Sequence, residues 1–131
     1  MERSQDVARE RHDSRDGVLA ANNYAHSLGK LQRYAEVKPL LLKTMPVARR
    51  VFGDHHDLTL LMSWNYAQAL YQDDDATLDD LREAVATLEE SERIARRVLG
   101  GAHPATAAHE GSLQEARAAL RAREETPPSS A

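Results

Sequence analysis

Side chains able to do chemistry gather at three kinds of place in this chain. His55, His56 and Asp57 stand together in one short stretch, and His103 occupies a second like it. Asp73, Asp74 and Asp75 precede Asp79 and Asp80, and the trio Asn-Tyr-Ala occurs at 23–25 and again at 65–67. Imidazoles beside a carboxylate are zinc ligands when three or four converge, as two histidines do at His-x-x-x-His spacing on one helix face. Adjacent histidines diverge instead, and two turns separated by a helix pair lie a helix-width apart. His56 and His103 are therefore expected to cap or pack their turns, with no metal bound. A calcium loop alternates its ligands and carries a glycine to turn the backbone; the acidic run does neither. Thr77 and the aspartates around it suit a helix start, where carboxylates meet the positive end of the dipole.

Catalysis finds little support. With no Cys in the chain, disulfides, thiolate chemistry and cysteine metal sites are all excluded. There is no glycine-rich phosphate loop, serine elbow or metalloprotease helix. An acid–base site would need His26 or His56 beside a carboxylate in a pocket, whereas charges such as Glu89, Glu90, Arg96 and Arg97 fall on outer helix faces. No catalytic residue and no cofactor is expected, and the chain does not read as an enzyme.

The elements that must position these residues follow from apolar spacing. Val18, Ala21, Ala25 and Leu28 fall at helical intervals up to about Lys30, with Gly29 easing the exit. A second helix carries Tyr34, Val37, Leu41, Thr44, Ala48 and Val51 and stops at Gly53. Pro39 and Pro46 lack the N–H that bonds back one turn, so this helix is expected to bend or start late. A third runs from Leu58 to about Gln72, its Leu60, Ser63, Ala67 and Leu70 lying 42 positions after the first helix's stripe. A fourth runs from about Leu78 to Leu99, and its Leu81, Ala84, Leu88, Ser91, Ala95 and Val98 match the second helix at an offset of 47. Five residues have thus been added in the acidic stretch, at small cost because loop-closure entropy grows slowly with length. Pro104 suits the first turn of a fifth helix ending near Arg123, where Leu113, Ala116 and Leu120 keep the stripe while Ser112 and Gln114 break the trio. A divergent last helix with a polar outer face is what a cap requires.

Self-similarity at a fixed period signals a repeat architecture. Asn23-Tyr24-Ala25 with Leu28, Tyr34-Ala35-Glu36-Val37-Lys38-Pro39-Leu40, then Val51-Phe52-Gly53 and His56 together resemble the tetratricopeptide repeat of the kinesin light chain type. Asn65-Tyr66-Ala67, Leu81-Arg82-Glu83-Ala84 and Val98-Leu99-Gly100-Gly101-Ala102-His103-Pro104-Ala105-Thr106 make the second unit. The resemblance covers about residues 17–121. Gln32 stands where the family has a glycine between paired helices, Val37 where it packs an alanine, and Asp57 where the first turn has a proline. The likeness implies an all-α solenoid of antiparallel helix pairs, with two full repeats plus a C-terminal capping helix. It also implies a His in each inter-repeat turn, and a concave face on the first helix of each pair that receives an extended peptide. Carried over by motif, Asn23 and Asn65 are the equivalents of the family's peptide-holding asparagines, since an amide both donates and accepts. Asn22, His26, Trp64 and Gln68 flank them, and Lys30 and Tyr71 continue that side. Trp64 reads either as an interface anchor or as a packing residue of a small core.

Domain organisation follows as a polar lead-in (1–16), a repeat domain (17–123) and a disordered tail (124–131). The lead-in reads as a worn helix of a preceding repeat or a solvated segment, with a turn expected near Asp13–Gly17. A net charge of -4 over 131 residues argues against general binding of nucleic acid or anionic membranes. The charged N-terminus has no apolar core of a secretory signal, and no apolar run approaches the roughly 20 residues that span a bilayer. The expected protein is cytoplasmic, non-catalytic and bound to a protein or peptide partner, with Lys30 and Arg33 favouring acidic segments. The second reading is a repeat fragment acting through stacking or homo-oligomerisation.

Overall fold

The computed structural model describes the backbone of residues 2–126 and the side chains of residues 14–126. These residues form five helices: α1 (Glu2–Lys30), α2 (Tyr34–Phe52), α3 (Asp57–Gln72), α4 (Leu78–Leu99) and α5 (Pro104–Glu125). No strand occurs among them, so the fold is all-α, and none of the helices is long and apolar enough to cross a membrane.

The helix ends follow from identifiable residues. Gly53 and Gly100 end α2 and α4 with φ/ψ of 89/165° and 93/156°, a region essentially closed to residues with a Cβ. Each returns its N–H to the carbonyl four residues back, Arg49 at 2.9 Å and Arg96 at 3.0 Å. His56 and His103 then cap α3 and α5 as expected: each ring Nδ1 accepts from a backbone N–H two residues on, Leu58 and Ala105, at 3.0 Å. Thr77 opens α4 with a capping box, its hydroxyl accepting from the Asp80 N–H and the Asp80 carboxylate from the Thr77 N–H. The α1–α2 hairpin has no glycine. Gln32 takes φ 59°, while Arg33 N–H reaches Leu28 O and Gln32 N–H reaches Gly29 O, both at 2.9 Å. This is a Schellman ending with glutamine in the glycine's place.

Two expectations are corrected. No turn interrupts 13–17: α1 runs unbroken from Glu2, and there Ser14 is half-buried while the Arg15 guanidinium lies over the Phe52 ring of α2, 5.5 Å from its centroid. Nor does α2 start late. It begins at Tyr34 and passes both prolines, which lie seven residues apart on one exposed face. The carbonyls their missing N–H groups leave free belong to Ala35 and Leu42, both exposed and open to water. At the other terminus Glu124 and Glu125 belong to α5, and the rest of the expected tail, 127–131, lies outside the described residues.

Each helix packs against the next in sequence, and α3 also touches α1 and α5. The backbones of α2 and α4 do not approach one another, so α1, α3 and α5 form the more closely spaced, inner layer. Leu41, Leu70 and Leu88 are fully buried between the layers, each stabilising the fold by about 1.5–3 kcal/mol.

The 42- and 47-residue offsets align the three inner helices residue by residue. Thr59, Met62, Asn65, Tyr66 and Ala69 of α3 are all buried, Asn65 against Asn22 of α1 and Tyr66 with its hydroxyl donating to Glu83 of α4 at 2.6 Å; so are Thr106, His109, Ser112, Leu113 and Ala116 of α5. Their counterparts on α1, namely Gly17, Ala20, Asn23, Tyr24 and Ser27, are all exposed. Leu60, Ser63, Ala67 and Leu70 face forward and are buried, while their α5 counterparts Ala107, Glu110, Gln114 and Arg117 are exposed. Glu110 and Arg117 meet Arg96 (3.3 Å) and Glu89 (3.6 Å) of α4. The α5 end is therefore sealed by polar side chains, as the sequence suggested.

The acidic insertion is braced on both sides. Asp73 accepts from Lys38 Nζ of α2 at 2.9 Å, with Asp80 at 3.7 Å from the same ammonium, and Ala76 O accepts from Arg123 of α5 at 2.9 Å. Hydrogen bonds from Lys38 and from the Asp75 N–H hold the Asp73 carboxyl below its usual range. A lowered value in the folded state means that this contribution is present above the ordinary aspartate range near 4 and is lost as pH falls through the lowered value. Lys38→Met should therefore flatten the acid-side loss of stability, as read from melting temperature against pH. The joints make a second prediction. Gln32→Gly should stabilise the fold by roughly 1 kcal/mol, about 3–6 °C in Tm. Gly100→Ala should destabilise it by about 1–3 kcal/mol, both checked by thermal denaturation.

Candidate functional site

Three inner helices present one continuous face, and its residues come from the sides of α1, α3 and α5 left uncovered by the outer helices. A recess lies between α1 and α3, where Gly29 and Ala25 keep the α1 wall low. His26 and Lys30 stand on one side, Trp64, Asn65 and Gln68 on the other, and Tyr34 and Val37 close the end. Its volume is ≈ 160 Å³, enough for one side chain. Tyr34 donates to Gln72 Oε1 at 3.0 Å across the same end.

Of the eight residues expected to line a groove, five meet here: His26, Lys30, Trp64, Asn65 and Gln68. The other three do not. Asn22 is buried (3% exposed) and accepts a hydrogen bond at 3.0 Å from Asn65 Nδ2, itself 7% exposed. These two amides hold each other and not a ligand. Asn23 is exposed on the back face of α1, away from the recess. Its alignment with Asn65 is correct, but the α1 surface that meets Asn65 is the opposite one, which carries Asn22. Tyr71 turns toward α5, donating to Glu115 at 2.7 Å, and burial raises its hydroxyl to about 12.

Trp64 is half-buried against the core and also lines the recess. Its indole N–H donates to Ser112 Oγ at 2.9 Å. Trp64 thereby separates the α1–α3 recess from a second, more apolar one of ≈ 360 Å³ between α3 and α5, lined by Leu60, Leu61, Leu99, Ala105 and His109 among others. His109 was not anticipated. Its ring lies 2.7 Å from Ala105 O and 3.2 Å from Leu60 O, tying α5 to α3. The available signal was its position, 47 residues after the buried Met62.

Charge in the first recess is one-sided. Lys30 has no carboxylate partner among the described residues, whereas Arg33, expected to act with it, is engaged by Glu36. Gln68 Oε1 is buried and accepts no hydrogen bond within the protein. No three histidines, aspartates or glutamates converge as metal ligands among the described residues. His55 points to Arg97 at 3.4 Å, while His56 and His103 serve their caps.

Comparison with known proteins adds no relative. No protein-family model, curated protein or solved structure matches the chain.

The Asn22–Asn65 pair yields a prediction. Replacing either by Ala leaves the other amide buried and unpaired, costing about 1–3 kcal/mol. The double replacement should cost clearly less than the sum, a coupling that a double-mutant cycle in urea measures.

Proposed function

We propose that this chain is a non-catalytic binding module of the tetratricopeptide type, similar to kinesin light chain repeats, with two helix pairs closed by α5 as a cap. It takes an extended segment of a protein partner across the inner face of α1, α3 and α5, and places an acidic side chain of that segment in the α1–α3 recess. The observation that carries this reading is the pairing of an uncompensated Lys30 with an unanswered Gln68 acceptor in one recess of side-chain size. An ammonium attracts a carboxylate, and a buried carbonyl oxygen without a donor gains from a backbone N–H. His26 adds a further polar contact at the rim. Support for a repeat array comes from the twofold recurrence of glycine ending, histidine cap and inner-helix register.

Asn65 is a poor reporter because its loss weakens the fold. Lys30 and Gln68 are better. Trp64 is the only tryptophan and lines the recess, so its emission reports occupancy. A short peptide rich in Asp and Glu should bind and change that emission, and a lysine-rich counterpart should not. Lys30→Glu should weaken the acidic peptide at least tenfold, about 1.4 kcal/mol, with an unchanged melting curve. Equal binding of the two peptides, or no loss in a Lys30→Glu, Gln68→Leu double variant, would remove the proposal.

A further inference from the structure

The α1 end of the array differs from the α5 end. Five positions that are buried on both α3 and α5 are exposed on α1: Gly17, Ala20, Asn23, Tyr24 and Ser27. Leu31 extends the stripe at 66% exposed, and Tyr24 is 57% exposed. The Tyr24 counterpart, Tyr66, is 4% exposed. The outer helix continues the face. Thr87 and Ile94 of α4 line a crevice with Arg49 and Asp54 of the preceding pair, and their α2 counterparts are Leu40 and Val47. Leu40 and Val47 are half-buried like Thr87 and Ile94 and pack against the core, so the surface that the molecule buries on α3 and α5 and leaves open at this end is the α1 stripe.

We propose that this surface is a dimer interface in which α1 and the edge of α2 pack against the same elements of a second copy across a two-fold axis. The choice of occupant follows from the other end. Head-to-tail stacking would press Tyr24 and Leu31 against exposed Gln114 and against Glu110 and Arg117, two charged groups already paired to α4. Two α1 ends are alike in chemistry, and an isologous contact closes on itself instead of growing into a fibre. Small side chains at Gly17, Ala20 and Ser27 let the backbones approach. Asn23 occupies the register at which Asn65 and Ser112 each bond the preceding inner helix, and an amide, being both donor and acceptor, can pair with its own symmetry mate.

Size sets the strength. The stripe is about 22 Å long at 1.5 Å per residue and two helices wide at 8–10 Å spacing. That is roughly 400–450 Å² per copy, on the order of 850 Å² for the pair, below the standard range for stable complexes. The association is therefore weak and concentration-dependent.

Sedimentation of the full chain from micromolar to high micromolar concentration should give a reversible monomer–dimer equilibrium. Tyr24→Glu and Leu31→Glu, both at exposed sites, should each shift it to monomer at least tenfold without changing the melting curve. The absence of native cysteine allows a second arm, in which Asn23→Cys should form an intermolecular disulfide and Gln114→Cys, on the sealed end, should not. A monomer at every concentration overturns the proposal. So does a dimer unaffected by both glutamates, or equal cross-linking at the two ends. None of these variants alters Lys30 or Gln68, so the result is independent of peptide binding.

Discussion

A polar group leaves water at little cost only when another polar group replaces it, and the stacking of the inner helices depends on meeting that condition at each contact. Where α3 meets α1, Asn65 donates to Asn22; where α5 meets α3, Trp64 donates to Ser112. The four residues occupy equivalent positions, with Asn22 matching Trp64 and Asn65 matching Ser112. The side chains changed between the two contacts while the bond between helices was kept. The next position in the forward series is Gly111, which has no side chain to offer.

This condition also reshapes the inner face. Side chains that satisfy each other cannot also serve a ligand, so Asn22 and Asn65 belong to the scaffold although Asn65 lines the recess. The recess groups that the scaffold leaves unanswered are chiefly Lys30 and Gln68. The recess exists because Gly29 and Ala25 present no bulk where α1 faces α3.

Much of the architecture was legible because its punctuation is strong. Gly53, Gly100, Pro104 and Thr77 placed the ends of α2 through α5 to within a residue or two. The inner-face stripes followed from helical spacing. The start of α1 was not legible, since residues 1–16 carry no apolar period. The groove was legible only in part. Sequence alignment finds which residues are equivalent, but two helices meet through opposite faces, so the partner of Asn65 is Asn22 and not its own equivalent, Asn23. His109 escaped notice because nothing local distinguishes a histidine that reaches two carbonyls on different helices from one that faces water.

The acidic insertion has a mechanical consequence. It joins α3 to α4 at the middle of the array, yet it is gripped from one side by Lys38 and from the other by Arg123. Those two cations belong to the first pair and to the last helix, elements that otherwise have no contact. Bending the array would have to stretch one grip or the other. The added residues thus tie the first pair and the last helix to one loop, where a shorter joint would have left them unlinked.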